Sequence, residues 1–223
     1  MPRRARHAIP GFPHHITQRG NNRQDVFFVD EDRELYLALL RQHALQYGFE
    51  VLGYCLMTNH IHIIGVPAEE DSLAKAVGRT HWKYSQVLNR LHGRSGHLWQ
   101  NRFYSCPMDD AHMVVAMAYI ERNPVRAKMV RDAWKYSWSS ASAHVGDTEC
   151  EWLNVARWNK AARGLDWRAR LKLKEEPGAG DPLMLHTNRG RPLGSDAFIA
   201  KIEAMVGMRL RALPVGRPKS LKK

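Results

Sequence analysis

Two apolar runs, Phe49 to Met57 (FEVLGYCLM) and residues 60–66 (HIHIIGV), stand with only Thr58-Asn59 between them. Runs this short, rich in β-branched and aromatic residues, read as strands, and a two-residue gap joins them as a hairpin. The flanking segments then fall into place around it. His14-His-Ile-Thr-Gln-Arg19 alternates at period two and ends at Gly20-Asn-Asn, a strand followed by a turn. Asp30 is placed to cap a helix to about Tyr47, with Leu35, Leu39, Leu40 and Ala44 on its inner stripe and Gly48 as its stop. Ser72 caps a second helix to about Leu91, ended by Gly93, and residues 98–107 (LWQNRFYSCP) read as a fourth strand. Asp109 or Asp110 opens a further helix through Arg122, which Pro124 limits. The order is β-α-β-β-α-β with one helix added. It predicts an α+β, ferredoxin-like (split βαβ) antiparallel sheet with helices on one face and the other face available. Many unrelated functions use that arrangement, so it decides no activity.

Charge narrows the partners. The 223-residue chain carries a formal net charge of +12, which calls for a polyanion, most simply nucleic acid. Of its 34 Lys/Arg and 22 Asp/Glu, 16 and 6 lie from Arg157 onward. The basicity therefore belongs mainly to the C-terminal part, and the remainder must bind nucleic acid through placed groups. Residues 1–146 read as the functional domain and 147–223 as a basic extension. In the extension Trp152, Trp158 and Trp167 suggest short amphipathic pieces, residues 174–182 (KEEPGAGDP) a linker, and residues 195–210 one helix or two broken at Gly207. Arg189-Gly-Arg191-Pro192 has the four residues of an AT-hook core, an extended segment that lies in an A·T-rich minor groove. Gly216-Arg217-Pro218 repeats three of them; a plain turn fits both equally. Three cysteines without a CxxC pair argue against a disulfide framework and a thiolate zinc site, and favour a reducing cytoplasm. The start MPRRARHAIPGFPHH is basic but has no apolar core behind it, unlike a secretory signal, and no run reaches membrane-spanning length.

The second strand of the hairpin contains the chemistry. Residues two apart in a strand share a face, so His60 and His62 project together while Ile61 and Ile63 point the other way, toward the helices. Two neutral imidazoles are ligands for a divalent ion and leave positions open for phosphate oxygens and water. The same pattern also fits a half-exposed strand with histidine on its outer face. Tyr119 and Asn123 lie four apart, on one helical face. An amide oxygen there ligates a hard metal and a phenol can reach what the metal holds; equally, the tyrosine packs in the core and the asparagine ends the helix. Arg19, Asn21 and Asn22 after the first strand, with Arg102 in the fourth, can meet phosphate or a splayed base, or serve as ordinary surface. Trp99, Phe103 and Tyr104 are candidate stacking platforms, some of which strand alternation must bury.

Five stretches carry a resemblance: HHITQRGNNRQDVFF, YCLMTNHIHIIGVP, GHLWQNRFYSCPM, YIERNPVRAKMV and KYSWSSASAHVG, in that order across about residues 8–146. Together they resemble the REP-associated tyrosine transposases, a branch of the single-tyrosine HUH (His-hydrophobic-His) transposases of insertion sequences; GRPLGSDAF and GRPKS are similar to that branch as well. The resemblance implies the fold above and the cleavage and rejoining of single-stranded DNA beside REP-like palindromic hairpin repeats, through a 5′-phosphotyrosine. It makes Tyr119 the nucleophile, His60 and His62 metal ligands, and Asn123 the third ligand, where related enzymes often have glutamine. The ion implied is Mg²⁺ or Mn²⁺, and the working form a monomer rather than a dimer. No GxxxxGK[ST] phosphate loop appears, so no nucleotide cofactor is expected. DNA contacts are expected at Arg19, Asn21, Asn22, Arg102, Arg189, Arg191 and Arg217. Competing readings are a catalytically silent repeat-binding regulator, an RNA-binding ferredoxin-like module, whose RNP signature is missing, and a metal-dependent hydrolase that uses water.

Overall fold

In the computed structural model, which describes residues 8–173 and 181–211, four strands form one sheet. They are β1 (His14–Arg19), β2 (Phe49–Met57), β3 (His60–Pro67) and β4 (Tyr104–Pro107), in the order β2-β3-β1-β4 with every neighbouring pair antiparallel. This is the split βαβ order. Helix α1 (Asp30–Gln46) carries the chain from β1 to the far edge, the hairpin returns β3 to the centre, and α2 (Ser72–Leu91) crosses to β4.

Helix ends follow local chemistry, with one difference from expectation. The N-cap position of α1 is Val29, and the carboxylate of Asp32, three residues on, accepts the backbone N–H groups of Phe28 at 2.7 Å and Val29 at 3.1 Å. Asp30 lies inside the first turn and pairs with Arg33 instead. Helix α3 (Asp110–Glu121) starts on Asp109, which accepts the His112 N–H at 2.9 Å. A single turn, α4 (Asn123–Arg126), follows it, with Pro124 in the first turn where its missing N–H costs nothing.

The two helices of the split unit share one face, as expected. Ile16, Leu56, Ile61 and Ile63 pack there against Tyr36, Leu40, Leu73, Val77, Tyr84 and Leu88. The opposite face, which the sequence reading left available, is covered in part. Met113, Ala116, Met117 and Ile120 of α3 lie on it, and so does the extension. Trp158 of α6 (Val155–Ala161), Trp167 and Leu171 of α7 (Trp167–Lys172) and Leu183 of α8 (Asp181–Arg189) join the same core. Gly53 lets α3 approach: a Cβ there would fall 2.4 Å from the Met117 sulfur, at the point where the β2–β3 register shifts.

A buried carboxylate fastens the extension. Glu121, fully buried at the end of α3, accepts from Ser140 Oγ at 2.5 Å, His144 Nδ1 at 2.6 Å and Trp167 Nε1 at 2.8 Å. His144 belongs to α5 (Ala141–His144) and gives its Nε2 hydrogen to the Leu52 carbonyl at 3.0 Å. One core therefore runs across Gly146. Further on, α9 (Asp196–Val206) is a single helix: Ser195 caps it and Gly207, at φ +65°, ends it. Most of the 174–182 linker (174–180), and Gly216-Arg217-Pro218, lie outside the described residues. No helix among the described residues is long and apolar enough to cross a membrane.

Replacing Glu121 by leucine should lower stability by about 3 kcal/mol, because three buried donors lose their acceptor together. Urea unfolding followed by tryptophan fluorescence measures it; an unchanged midpoint would show that the network holds nothing in place.

Candidate active site

Pairing of β1 with β3 sets Arg19 opposite His60 and Thr17 opposite His62. Both imidazoles thus emerge together from the centre of the sheet, while Ile61 and Ile63 enter the core under α1 and α2. The rings are nearly perpendicular, with centroids 5.2 Å apart.

Hydrogen bonds fix which nitrogen each ring presents. The Asn59 amide nitrogen donates to the Arg23 carbonyl at 3.1 Å, which identifies the amide oxygen as the group facing His60 Nδ1 at 2.7 Å. That oxygen only accepts, so His60 carries its hydrogen on Nδ1 and a lone pair on Nε2. His62 Nδ1 is engaged by His15 Nε2 at 2.8 Å. Burial first, then the charges of Arg19 and Arg126, lower the His60 pKa to about 4. Burial and the surrounding cationic groups push His62 well below its ordinary value, and burial lowers His15 to about 3. The rings are therefore neutral at physiological pH, the form that binds metal.

Tyr119 comes to this pair from α3. It is partly exposed at the rim, with its ring edge-on to His62 at a centroid distance of 6.1 Å. The Arg126 guanidinium lies 3.8 Å over the tyrosine ring and donates to Asn123 Oδ1 at 2.5 Å. Tyr119 and Asn123 are thus joined through Arg126. The Asn123 oxygen is held by a cation, and its buried Nδ2 has no hydrogen-bond partner among the described residues. A divalent transition ion fits the donor chemistry of the histidine pair. Among the described residues no group of three or more His, Cys, Asp or Glu side chains is arranged to hold a metal, so any further ligands from these residues would be amide oxygens, with water or phosphate beside them.

The other sequence candidates fall in different places. Arg19 stands beside His60 at the end of β1. Asn21 and Asn22 form the 3-10 turn that follows, Asn22 at φ 51° and Arg23 at φ 62°, both left-handed. Arg102 is exposed in the loop before β4 rather than in the strand, which begins only at Tyr104. The strand is shorter than read because Trp99 and Phe103 turn inward against His81 of α2. Tyr104, 38% exposed and paired with Thr17, shares the face of His62 and keeps its ring in solvent. The Arg-Gly-Arg-Pro segment is not extended. Arg189 ends α8, Gly190 turns at φ +61°, Arg191 N–H donates to the His186 carbonyl, and Leu193 N–H donates to the Pro107 carbonyl beside β4. Arg217 is outside the described residues.

Sequence reasoning missed His15 and Arg126. The alternation in HHITQR puts His15 on the parity of Arg19, but only the strand register brings it to His62. Arg126 follows Asn123 by three residues and was hidden by taking Pro124 as the end of helical structure.

The family model described as "Transposase IS200 like" matches residues 10–123. A Haemophilus influenzae protein provisionally named a REP-associated tyrosine transposase is 27% identical over 124 residues, spanning 49% of this chain and 68% of that protein. A solved structure of a REP-associated tyrosine transposase bound to a REP hairpin superposes with a TM-score of 0.53 at 16% identity, covering 69% of this chain and 98% of that one. That likeness concerns the fold.

Arg126→Met removes one of the cations that disfavour protonation of His60. Its pKa should rise from about 4 yet stay under the ordinary 6.5, because burial, the larger cause, remains. An NMR titration of the ring reads this, and an unmoved or lowered pKa would mean that the arginine charge does not reach the ring.

Proposed function

The chain belongs to the IS200-like transposase family, and on that premise we propose that it cuts and rejoins single-stranded DNA beside palindromic hairpin repeats through a covalent link to Tyr119. The observation that carries this reading is the meeting of the Tyr119 ring with His62 at 6.1 Å, on a partly exposed rim where DNA can enter.

His60 and His62 would hold a divalent ion, Mg²⁺ or Mn²⁺, through their Nε2 atoms. When bound, that ion supplies positive charge against a phosphoryl oxygen as negative charge builds there. The residues of the chain do the rest. Tyr119 Oη forms a bond to phosphorus as the bond from phosphorus to the 3′ oxygen breaks. The phenolic proton is lost to solvent and the 3′ oxygen takes one up, leaving a 5′-phosphotyrosine and a free 3′-hydroxyl. Rejoining is the reverse, with a 3′-hydroxyl attacking the phosphotyrosine. Arg126 has two roles. Over the tyrosine ring it favours the developing phenolate, and a phosphate drawn to its guanidinium would release Asn123, whose oxygen then becomes free as a third ligand.

DNA would be held by Arg19 and the Asn21–Asn22 turn next to the histidines, by Arg102, and by a base stacked on Tyr104. Arg189 and Arg191 belong to a docked helix end, so their contacts would be to phosphate from the side of β4 rather than inside a minor groove. Tyrosine and histidines meet within one chain, which supports a monomer as the working form.

Tyr119→Phe should abolish the denaturation-resistant protein–DNA band formed with Mn²⁺ and a labelled single-stranded hairpin, while hairpin binding stays within about twofold on the usual scale for a lost hydroxyl outside the binding contacts. Adducts that persist in the variant would remove Tyr119 from the role.

A further inference from the structure

We propose that Thr187, through His15, sets the tautomer of His62, so that the C-terminal extension prepares the histidine pair for its ion. The proposal rests on the reading of His62 as a metal ligand.

The directions of four hydrogen bonds lead there. Thr187 is fully buried on α8 and gives its hydroxyl hydrogen to the Leu183 carbonyl one turn back, at 2.7 Å. Toward every other neighbour its oxygen can only accept. One lone pair takes the Cys106 thiol at 3.3 Å, and the other faces His15 Nδ1 at 2.7 Å. His15 Nδ1 must therefore carry the hydrogen. His15 is itself fully buried between Thr187 and His62, and a neutral ring with its hydrogen on Nδ1 has a lone pair on Nε2. That lone pair stands 2.8 Å from His62 Nδ1, which must in turn donate. His62 Nε2 is then bare, as ligation requires.

The chain of bonds is directional, and its direction is decided at its far end. Without the Thr187 oxygen, His15 is free to move its hydrogen to Nε2 and donate to His62 Nδ1. His62 would then hold its hydrogen on Nε2, the atom needed for the ion. His60 is independent of this device, because Asn59, and no other described residue, holds its Nδ1. The two histidines are thus prepared from distant parts of the sequence, one by the neighbouring residue and one by a helix in the extension.

The test uses the full chain, labelled with ring-¹⁵N histidine and free of metal, as wild type, Thr187→Val and Thr187→Ser. Long-range ¹H–¹⁵N spectra read the tautomers, and calorimetry with Mn²⁺ alone reads the consequence. Wild type and Thr187→Ser should carry the His62 hydrogen on Nδ1. Thr187→Val should populate the Nε2–H form and bind Mn²⁺ about tenfold more weakly, the lower end of what loss of such outer partners costs. The His60 signals should not change, which separates the effect from general loosening. A His62 that already bears its hydrogen on Nε2 in wild type would overturn the proposal, as would a valine variant with unchanged tautomer and affinity. If valine prevents folding, Thr187→Ala decides by the same signals. These spectra need neither DNA nor metal. Failure of Tyr119 to form an adduct would therefore count against the proposed function and leave this result to be judged separately.

Discussion

Pairing of β1 with β3 at the centre of the sheet is the constraint on which the site depends. Because side chains alternate, a slip of one residue would send His60 and His62 under α1 and α2 and bring Ile61 and Ile63 to the other face. What resists the slip is apolar. Ile16, Ile61 and Ile63 are completely buried, and each such side chain contributes roughly 1.5–3 kcal/mol of burial. The histidines are aimed by isoleucines buried on the opposite face of the sheet. Arg19 and Thr17 come to their places opposite the histidines by the same ladder.

The second face of the sheet combines apolar cover with directional polar chains. Its helices are short, and their tryptophans and leucines pack on the sheet without filling it completely. Two networks cross that layer. Glu121 gathers donors from α5, α7 and Ser140, and Thr187 connects α8 to His15. Buried polar groups are costly unless every partner is present, so each network specifies one arrangement of the extension against the sheet. Tyr119 lies on the same helix as Glu121, two residues away, with Glu121 anchored inside and Tyr119 at the rim. The extension, read from its charge as a tail that meets DNA, packs on the sheet face that carries His15 and His62.

Much of this was legible in the chain. The hairpin around Thr58-Asn59, the parity of His60 and His62, and the order of elements through Pro124 follow from local periodicity and stop residues, which act over a few positions. Face and parity are local properties; partners are not. His15 and Thr187 are 172 residues apart, so no window of sequence contains their bond. The fourth strand was read too long because Leu98, Trp99 and Phe103 suit a strand, although Trp99 and Phe103 pack on α2 instead. The letters of Arg-Gly-Arg-Pro allow both an extended segment and a turn; a left-handed Gly190 at a helix end makes it a turn. Helices such as α5, α6 and α7, of seven residues or fewer, hold too few turns for their inner stripe to be seen.

The proposed reaction requires His60 and His62 to converge on one ion that also holds the phosphate Tyr119 attacks. Pulsed electron paramagnetic resonance of Mn²⁺ in the complex of the Tyr119→Phe chain with hairpin DNA measures that convergence directly. With ring-¹⁵N histidine and a ³¹P-bearing strand, the manganese should couple to two histidine nitrogens and to one phosphorus together. Manganese coupled to the phosphate but to no histidine nitrogen would contradict it.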